Sequence, residues 1–274
     1  MSYSEPLLSF NEVSKIFNRG GVFSWEKVHA VRNVSFALPH KPSIVAIVGE
    51  SGSGKTTLAR MILRLIEPSF GEILLDGKRL WGRRRETVPD LAFRLRVQPI
   101  FQNPFEAFSL HLPVEFYLLR TAVNLGAAPD TETAIPIVTE ALRSVGLELD
   151  SLRGKFVQQF SGGQLQRIAI ARALIPRPGL IVADEPVSMV DASLRMTIIN
   201  LFGQIRDQHG VSIIYITHDL STATYIADQI IIMSKGEIIE QGPPDKIINN
   251  PSHDYTRLLL NSIPRIGNRW SELE

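Results

Sequence analysis

Residues 49–56 read Gly49-Glu50-Ser51-Gly52-Ser53-Gly54-Lys55-Thr56 and fit the phosphate-loop pattern G-x-x-x-x-G-K-[ST] at every fixed position. They follow the apolar run Ile44–Val48 and precede a helix-like segment that starts near Lys55. In this pattern the glycines let backbone N–H groups curl around phosphates, the lysine places a positive charge on the outer phosphates, and the threonine offers its hydroxyl to Mg²⁺. The helix start adds the positive end of its dipole. This stretch therefore predicts a site for ATP and Mg²⁺.

Short apolar runs recur on both sides of this loop and alternate with the helix-periodic segments 55–66 and 193–208. Such alternation indicates an α/β sheet that binds its ligand at the carboxyl ends of the strands. The predicted strands are 31–38, 44–48, 72–75, 97–101, 179–183, 211–217, 229–233 and 237–240.

The pattern changes to helical periodicity between about residues 106 and 160, with Ala134–Val145 as the clearest piece. We interpret this part as an inserted helical lobe. Beyond Gly242 we expect the chain to leave the core, form a short helix over Tyr255–Asn261 and end in a polar tail. The predicted division is an ATP-binding core of residues 1–105 and 165–242, a helical subdomain of residues 106–164, and a C-terminal extension of residues 243–274.

The composition indicates a globular protein without a polyanionic partner. With 274 residues and 44% hydrophobic content the chain can bury a sizeable core, and its formal net charge is only +1. The one dense basic run, Arg83-Arg84-Arg85, is followed by Glu86 and contains no aromatic residue, so we interpret it as a solvated loop and expect no nucleic-acid partner. The absence of cysteine excludes disulfides and thiolate metal sites and favours the cytoplasm.

The sequence also lacks the patterns of membrane insertion. No apolar stretch approaches the roughly 18–20 residues that cross a bilayer. The residues Met1–Pro6 lack the basic start and apolar core of a signal peptide. We therefore expect any membrane association to come through another subunit.

A second group of candidate residues follows two buried-strand patterns. Leu180–Asp184 is an apolar run that ends in a carboxylate able to meet the Mg²⁺ of the phosphate loop, and Glu185, one residue further, can polarise an attacking water. The run Ile213–Thr217 supplies a neighbouring strand that ends in His218. Each feature alone also fits a strand–turn boundary or a structural histidine. Together with the phosphate loop, their convergent roles favour the catalytic interpretation.

A third motif is Ser161-Gly162-Gly163-Gln164, at the start of the helix-like segment Leu165–Leu174. A serine and two glycines at a helix start can form a second anion site, although a simple loop-to-helix turn has the same pattern. A single nucleotide seldom needs two such sites from one chain. The motif is therefore a candidate for contact with the nucleotide of a neighbouring chain.

In order and approximate spacing, these motifs, together with Gln102 and Ser188–Asp191, resemble those of an ATP-binding-cassette (ABC) transporter ATPase over nearly the whole chain. The resemblance implies an α/β fold: a P-loop NTPase (RecA-like) core with a small antiparallel β subdomain and an inserted α-helical subdomain. It also implies head-to-tail pairing with a second ABC ATPase subunit. Each cassette would close its serine-glycine-glycine segment over the ATP of the other.

The resemblance assigns a role to each matching position. Catalysis falls to Lys55, Glu185 and His218. Mg²⁺ binding falls to Thr56, Gln102 and Asp184, the last through water. ATP binding falls to Phe17, which stacks on adenine, and to Gly49, Glu50, Ser51, Gly52, Ser53, Gly54, Lys55, Thr56 and Thr57. Contact with the partner's ATP falls to Ser161, Gly162, Gly163 and Gln164, and Asp191 lies in the segment that crosses the dimer interface.

Two regions narrow the resemblance to the dipeptide/oligopeptide/nickel importer subfamily, in the shorter of its two ATPase types. One is a longer loop after Phe17, from Asn18 to His29, and the other is the tail Asn250–Leu260. In these importers the second ATPase subunit is usually a different chain. The resemblance also implies two membrane permease subunits and an extracellular or periplasmic solute-binding protein as partners. It places the chain on the cytoplasmic face of a bacterial plasma membrane as a peripheral subunit. Because the cysteine-bearing tail of some relatives is missing, we expect no iron–sulfur cluster.

The sequence leaves several functions open. The cargo could be peptides, oligosaccharides or nickel, because the ATPase subunit does not contact it. A soluble ABC ATPase that acts on ribosomes or DNA is a second class, but such proteins generally carry two cassettes or a long coiled coil, and the insertion here has only about 55 residues. A third possibility is a nucleotide-gated subunit with an inert site. The presence of all the catalytic groups argues against it.

Overall fold

The computed structural model describes residues 5–19, 26–82 and 87–262. Within these residues six strands form one sheet in the order β10-β9-β3-β8-β7-β6, which is parallel except for β10. A second, antiparallel sheet has the order β2-β1-β4-β5. The strands are β1 (Leu8–Arg19), β2 (Glu26–Leu38), β3 (Ile44–Val48), β4 (Phe70–Leu75), β5 (Lys78–Arg79), β6 (Val97–Ile100), β7 (Leu180–Asp184), β8 (Ser212–Thr217), β9 (Gln229–Ser234) and β10 (Glu237–Gly242).

Helices pack against both faces of the six-stranded sheet. They are α1 (Lys55–Ile62), α2 (Asp90–Arg96), α3 (Val114–Asn124), α4 (Thr131–Arg143), α5 (Gly162–Leu174), α6 (Ala192–His209), α7 (Leu220–Ile226), α8 (Pro244–Asn249) and α9 (Asp254–Asn261). Among the described residues no helix is both long and apolar enough to cross a membrane.

Strand β3 is buried on both faces, as its uninterrupted apolar sequence requires. Ile44 and Ala46 belong to a core cluster shared with the helices α3 to α6. Val45 and Ile47 belong to a second cluster, which contains α1 and the antiparallel sheet. The six-stranded sheet is therefore covered on both sides, and this confirms the predicted α/β fold.

All the strands predicted from apolar runs are present, and so are the helices predicted near 134–145, 165–174, 193–208 and 255–261. The predicted end of the first helix at residue 66 is wrong. It ends at Ile62, because Arg64 has a φ of +57°, which a right-handed helix cannot continue. The unpredicted strand β1 contains register shifts between Phe10 and Ile16 that break the expected alternation of side chains.

The predicted bounds of the loop from Asn18 to His29 are wrong at both ends. Asn18 and Arg19 still belong to β1 and pair with Lys27 and Glu26 of β2, so the insertion lengthens a hairpin. Residues 20–25 lie outside the described residues, as do the basic run 83–85 and the tail beyond residue 262.

The prediction that the chain leaves the core after Gly242 is also wrong. Ile247 and Thr256 are completely buried, and Tyr255 and Leu259 pack against the cluster shared by the sheet and helices. The carboxylate of Glu240 in β10 holds this segment by accepting hydrogen bonds from backbone N–H groups at the start of α9. The extension is thus packed against the sheet down to Ser262.

The helical part between β6 and β7 contains no strand from residue 101 to 179, all of which the structure describes. Its side chains share one core with the sheet. Leu118 of α3, Val138 of α4 and Leu165 of α5 are completely buried in the same cluster as Ile44. Shared burial fixes the position of α5, whose first turn carries the residues 161–164.

We expect Phe202→Ala to destabilise the sheet edge that carries the site. Phe202 of α6 is fully buried and meets the Tyr215 ring of β8 edge to face, with ring centroids 5.7 Å apart. The substitution should lower the free energy of unfolding by about 3–5 kcal/mol, measured by chemical denaturation followed by circular dichroism. Phe70→Ala is the matched control, because Phe70 is 64% exposed, and it should change stability by less than about 0.5 kcal/mol. Equal effects of the two substitutions would contradict this assignment.

Candidate functional site

The phosphate-loop residues connect β3 to α1 and wrap around the Lys55 ammonium. Lys55 is buried, and its Nζ donates hydrogen bonds to the carbonyl oxygens of Gly49 and Glu50, each at 2.7 Å. Burial lowers the pKa of Lys55, and the carboxylates of Glu185 and Asp184 oppose this shift. The loop thus holds a cation beside two acidic side chains.

Close backbone approaches explain two of the loop glycines. A Cβ atom on Gly49 would lie 2.2 Å from the Met233 carbonyl oxygen of β9. A Cβ on Gly54 would lie 2.4 Å from the Ala30 carbonyl oxygen of β2, and Gly54 has a φ of +104°. Gly52 has a φ of +83°, and no atom of the described residues lies within 4 Å of a Cβ placed on it. The loop therefore packs closely against neighbouring backbone at Gly49 and Gly54 and is open at Gly52. A loop that binds phosphates requires this arrangement.

The three residues predicted to bind Mg²⁺ lie together. Thr56, Gln102 and Asp184 line one cavity of about 580 Å³ beside α1. In the part of the chain that the structure describes, Asp184 Oδ1 is buried without a hydrogen-bond partner. Burial raises the pKa of Asp184, and a hydrogen bond with the Thr56 side chain opposes the rise.

These three residues fit the predicted magnesium ion. A hydroxyl, an amide oxygen and a carboxylate are the hard oxygen ligands that Mg²⁺ prefers, directly or through water. The unpartnered Asp184 oxygen in particular gains a partner from a cation in the cavity.

Glu185 is held on both carboxylate oxygens. Gln102 Nε2 donates to Glu185 Oε2 at 3.2 Å, and His218 Nδ1 lies 3.3 Å from Glu185 Oε1. Glu185 has a φ of +46°, which is costly for a residue with a side chain, and its N–H donates to the Ile216 carbonyl at 2.9 Å. The parallel pairing of β7 with β8 brings Glu185 and His218 to the same edge of the sheet. The predicted pair is therefore in contact.

The segment 161–164 begins α5 with a capping box. The Gln164 N–H donates to Ser161 Oγ at 3.2 Å, and the Ser161 N–H donates to Gln164 Oε1 at 3.0 Å. A Cβ on Gly162 would lie 2.8 Å from the Met189 carbonyl oxygen, so this turn packs closely on the segment that ends at Asp191. Among the described residues no hydrogen bond joins 161–164 to the loop 49–56. The structure does not bring this motif to the chain's own phosphate loop.

The other predicted residues have these positions. Phe17 lies on β1 and is 37% exposed. It pairs with Val28, which is two residues before Ala30 in β2, and the Ala30 carbonyl packs against Gly54. Phe17 is therefore close to the Gly54 end of the phosphate loop. Asp191 is exposed and occupies the N-cap position of α6, where its side chain makes no capping hydrogen bond to a described residue. Thr57 is the third residue of α1.

Sequence reasoning missed one contact with the loop. The hydroxyl of Tyr255 in α9 accepts a hydrogen bond from the Glu50 N–H at 2.9 Å. These residues are 205 positions apart, and no sequence pattern links them. The contact depends on the packing of the C-terminal extension.

Comparisons with known proteins agree with this geometry. Residues 31–188 match the family model described as "ABC transporter", and residues 239–274 match the model described as "Oligopeptide/dipeptide transporter, C-terminal region". The resemblances inferred from the phosphate loop and from the tail are thereby confirmed.

Curated relatives match over almost the whole chain. The oligopeptide transport ATP-binding protein AmiF of Streptococcus pneumoniae is 36% identical, over 95% of this chain and 82% of the relative. A putative peptide import ATP-binding protein of Brucella ovis is 37% identical, over 94% of this chain and 79% of the relative.

Solved cassettes share the fold. The ATP-binding cassette MJ0796, determined as a dimer in a post-hydrolysis state with ADP and Pi, superposes with a TM-score of 0.73 at 27% identity and covers 86% of this chain and 98% of its own. The cbiO1 protein of Clostridium perfringens has a TM-score of 0.76 at 25% identity, over 96% of this chain and 98% of its own. The chain therefore belongs to the ABC transporter family, as an ATP-hydrolysing cassette that uses ATP with Mg²⁺.

Proposed function

We propose that this chain is the ATPase subunit of a bacterial importer for oligopeptides and that it energises transport through partner membrane subunits. The observation that carries the hydrolytic part is the Glu185 carboxylate, held by Gln102 and His218 next to the phosphate loop. The cargo class is supported by the relatives named for oligopeptide transport and peptide import, and by the match of residues 239–274. That match also favours transport over action on ribosomes or DNA.

The residues have distinct roles in the proposed reaction. Glu185 accepts a proton from a water whose oxygen attacks the γ-phosphorus, and the bond from that phosphorus to the ADP oxygen breaks. Gln102 and His218 orient the Glu185 carboxylate, and His218 also contacts the γ-phosphate. Lys55 moves its ammonium from the loop carbonyls to the outer phosphates, while the loop N–H groups and Thr57 bind the others.

Thr56, Gln102 and Asp184 would hold Mg²⁺, which neutralises charge on the phosphate oxygens when it is bound. The adenine base of ATP stacks on the face of the Phe17 ring. It is partly exposed, and the Lys15 ammonium lies 5.2 Å from its ring centroid. The exposed rim of the antiparallel sheet thus supplies the nucleobase contact.

The segment Ser161–Gln164 acts on the ATP of a second cassette in a head-to-tail dimer. Three features support this role. Among the described residues the segment has no hydrogen bond to its own loop, it lies at the start of α5, where the helix dipole favours an anion, and it packs on the residues leading to the exposed Asp191. In this arrangement Asp191 lies in the dimer interface.

We place the membrane permease contact in the groove beside Gln102. This groove of about 610 Å³ lies between the end of α1, α2 and α3. Phe101 is exposed in it and directly precedes Gln102, so an occupant of the groove would press on the chain that positions Glu185. Docking there makes the chain a peripheral subunit on the cytoplasmic face, while an external solute-binding protein delivers the cargo. We expect the helices of the proposed subdomain 106–164 to move with the occupant.

We expect Glu185→Gln to abolish turnover and leave ATP binding intact. The amide cannot accept the proton of the attacking water, so steady-state hydrolysis should fall by about 10²–10⁴-fold. A nucleotide-bound dimer should accumulate and be visible by size-exclusion chromatography. Glu148→Gln is the control, because that side chain is 64% exposed on the helical part. Wild-type turnover in Glu185→Gln would falsify the base assignment.

We expect Asp184→Asn to weaken Mg²⁺ binding, so that hydrolysis requires a higher Mg²⁺ concentration. The substitution keeps the shape and removes the charge, so the Mg²⁺ concentration for half-maximal hydrolysis should rise by about 10- to 100-fold. The measurement is an ATPase titration with MgCl₂ at fixed ATP. Asp150→Asn, whose side chain is 87% exposed, serves as the control. An unchanged titration would remove Asp184 from the metal site.

The cargo is tested with the complex purified from its native membrane together with its binding protein. We expect di- or oligopeptides to stimulate ATP hydrolysis that is lost in Lys55→Ala, whereas oligosaccharides and nickel chelates should leave it unchanged. Stimulation by oligosaccharides or nickel chelates instead would overturn the cargo class and keep the importer. Copurification with ribosomes or DNA, without membrane partners, would overturn the importer itself.

A further inference from the structure

The peptide group between Gly49 and Glu50 is held from both sides. Its carbonyl oxygen, on Gly49, accepts a hydrogen bond from Lys55 Nζ at 2.7 Å. Its N–H, on Glu50, donates to the Tyr255 hydroxyl at 2.9 Å. Because a trans peptide is planar and its C=O and N–H point in opposite directions, these two bonds together fix the orientation of one rigid unit. The first peptide of the phosphate loop thus depends on a residue of the C-terminal extension.

Hydrogen bonds to Glu240 hold the start of α9, the helix that carries Tyr255. At the start of α9 the Glu240 carboxylate accepts hydrogen bonds from the Ser252 N–H at 2.8 Å, the Ser252 hydroxyl at 2.8 Å and the His253 N–H at 3.2 Å. Burial would raise the pKa of Glu240, but these hydrogen bonds outweigh it and lower the pKa to about 2. The hydrogen bonds therefore stabilise the charged form of the Glu240 carboxylate.

The helix itself adds to this rigidity. His253 caps α9 by accepting the Tyr255 N–H on Nδ1 at 3.0 Å. Thr256 is completely buried, and Leu259 and Leu260 pack against the core cluster of the sheet. The Tyr255 ring packs against that cluster too. Helix α9 is thus held at its start by hydrogen bonds and along one face by packing. It places the Tyr255 hydroxyl against the phosphate loop.

We propose that Tyr255 is a positioning residue for ATP binding, which acts by fixing the orientation of the Gly49–Glu50 peptide at the start of the phosphate loop. The proposal rests on the proposed role of the loop in binding ATP phosphates. Tyr255 does not touch the reacting atoms in this arrangement. Its loss lets the peptide plane rotate, so the loop must be ordered again when the nucleotide binds.

The test is Tyr255→Phe in the full chain, with Tyr225→Phe as the matched control. Tyr225 also loses a hydroxyl hydrogen bond in this substitution, 2.8 Å to Asn200 Oδ1, and belongs to α7 rather than α9. We expect Tyr255→Phe to weaken binding of a fluorescent ATP analogue and to raise KM for ATP by about 3- to 10-fold, the worth of one hydrogen bond, with kcat nearly unchanged. Tyr225→Phe should change neither. Equal ATP affinities of Tyr255→Phe and wild type overturn the proposal, and so does a fall in kcat alone.

Two further measurements separate positioning from a general loss of structure. Amide hydrogen exchange at Glu50 should accelerate in Tyr255→Phe while exchange in β3 stays the same. Glu240→Gln should also weaken ATP binding, but it should add little in the Tyr255→Phe background, because both changes act through one contact. Fully additive effects, or faster exchange throughout the sheet, would contradict the proposed contact.

A Lys55→Ala variant distinguishes failure of this inference from failure of the proposed function. If Lys55→Ala loses ATP binding and Tyr255→Phe does not, the loop assignment stands and the role of Tyr255 is wrong. If Lys55→Ala binds ATP as wild type does, the loop assignment itself is wrong, and the role of Tyr255 falls with it.

Discussion

The burial of β3 is the constraint on which the rest of the site depends. All five of its residues are buried, and it pairs with β8 on one side and β9 on the other. The chain that leaves it must turn at once between the Met233 and Ala30 carbonyl oxygens, where only glycine fits at positions 49 and 54. Because β7 and β8 are parallel to β3, their carboxyl ends deliver Glu185 and His218 to this same edge.

Three charged side chains lie close together at this edge of the sheet, and burial and their mutual interactions shift the pKa values of two of them. The ammonium of Lys55 is buried, and burial lowers its pKa, while Asp184 and Glu185 oppose the shift. Burial raises the pKa of Asp184, and Glu185 adds to that rise through like charge. The Lys55 ammonium therefore offsets part of the cost of burying Asp184, whereas the two carboxylates repel each other. Removing one charge should disturb the remaining two, so substitutions that keep shape give the clearest results.

The sequence predicted the parts of the fold that depend on short-range patterns. Buried parallel strands are uninterrupted apolar runs, so β3 was located to the residue, and the phosphate loop and the carboxylates after β7 followed from it. Strand β1 was missed because its bulges disturb the alternation, and helix α1 was made too long because nothing marks the positive φ of Arg64. The strained backbone of Glu185 and the Tyr255 contact arise only from tertiary packing, which local patterns do not contain.

Helix α5 gives a physical connection between the two ends of the proposed mechanism. Its first turn carries Ser161, and near its end Arg172 donates to the Ala107 carbonyl at 3.1 Å and stacks on the Phe108 ring at 5.4 Å. Ala107 belongs to the turn that follows Gln102, whose side chain holds Glu185. Burial lowers the pKa of Arg172, because removing its charged guanidinium from water is costly. Because these two contacts join α5 to the turn after Gln102, the proposed mechanism implies that a displacement of the chain at Gln102 also displaces the segment 161–164.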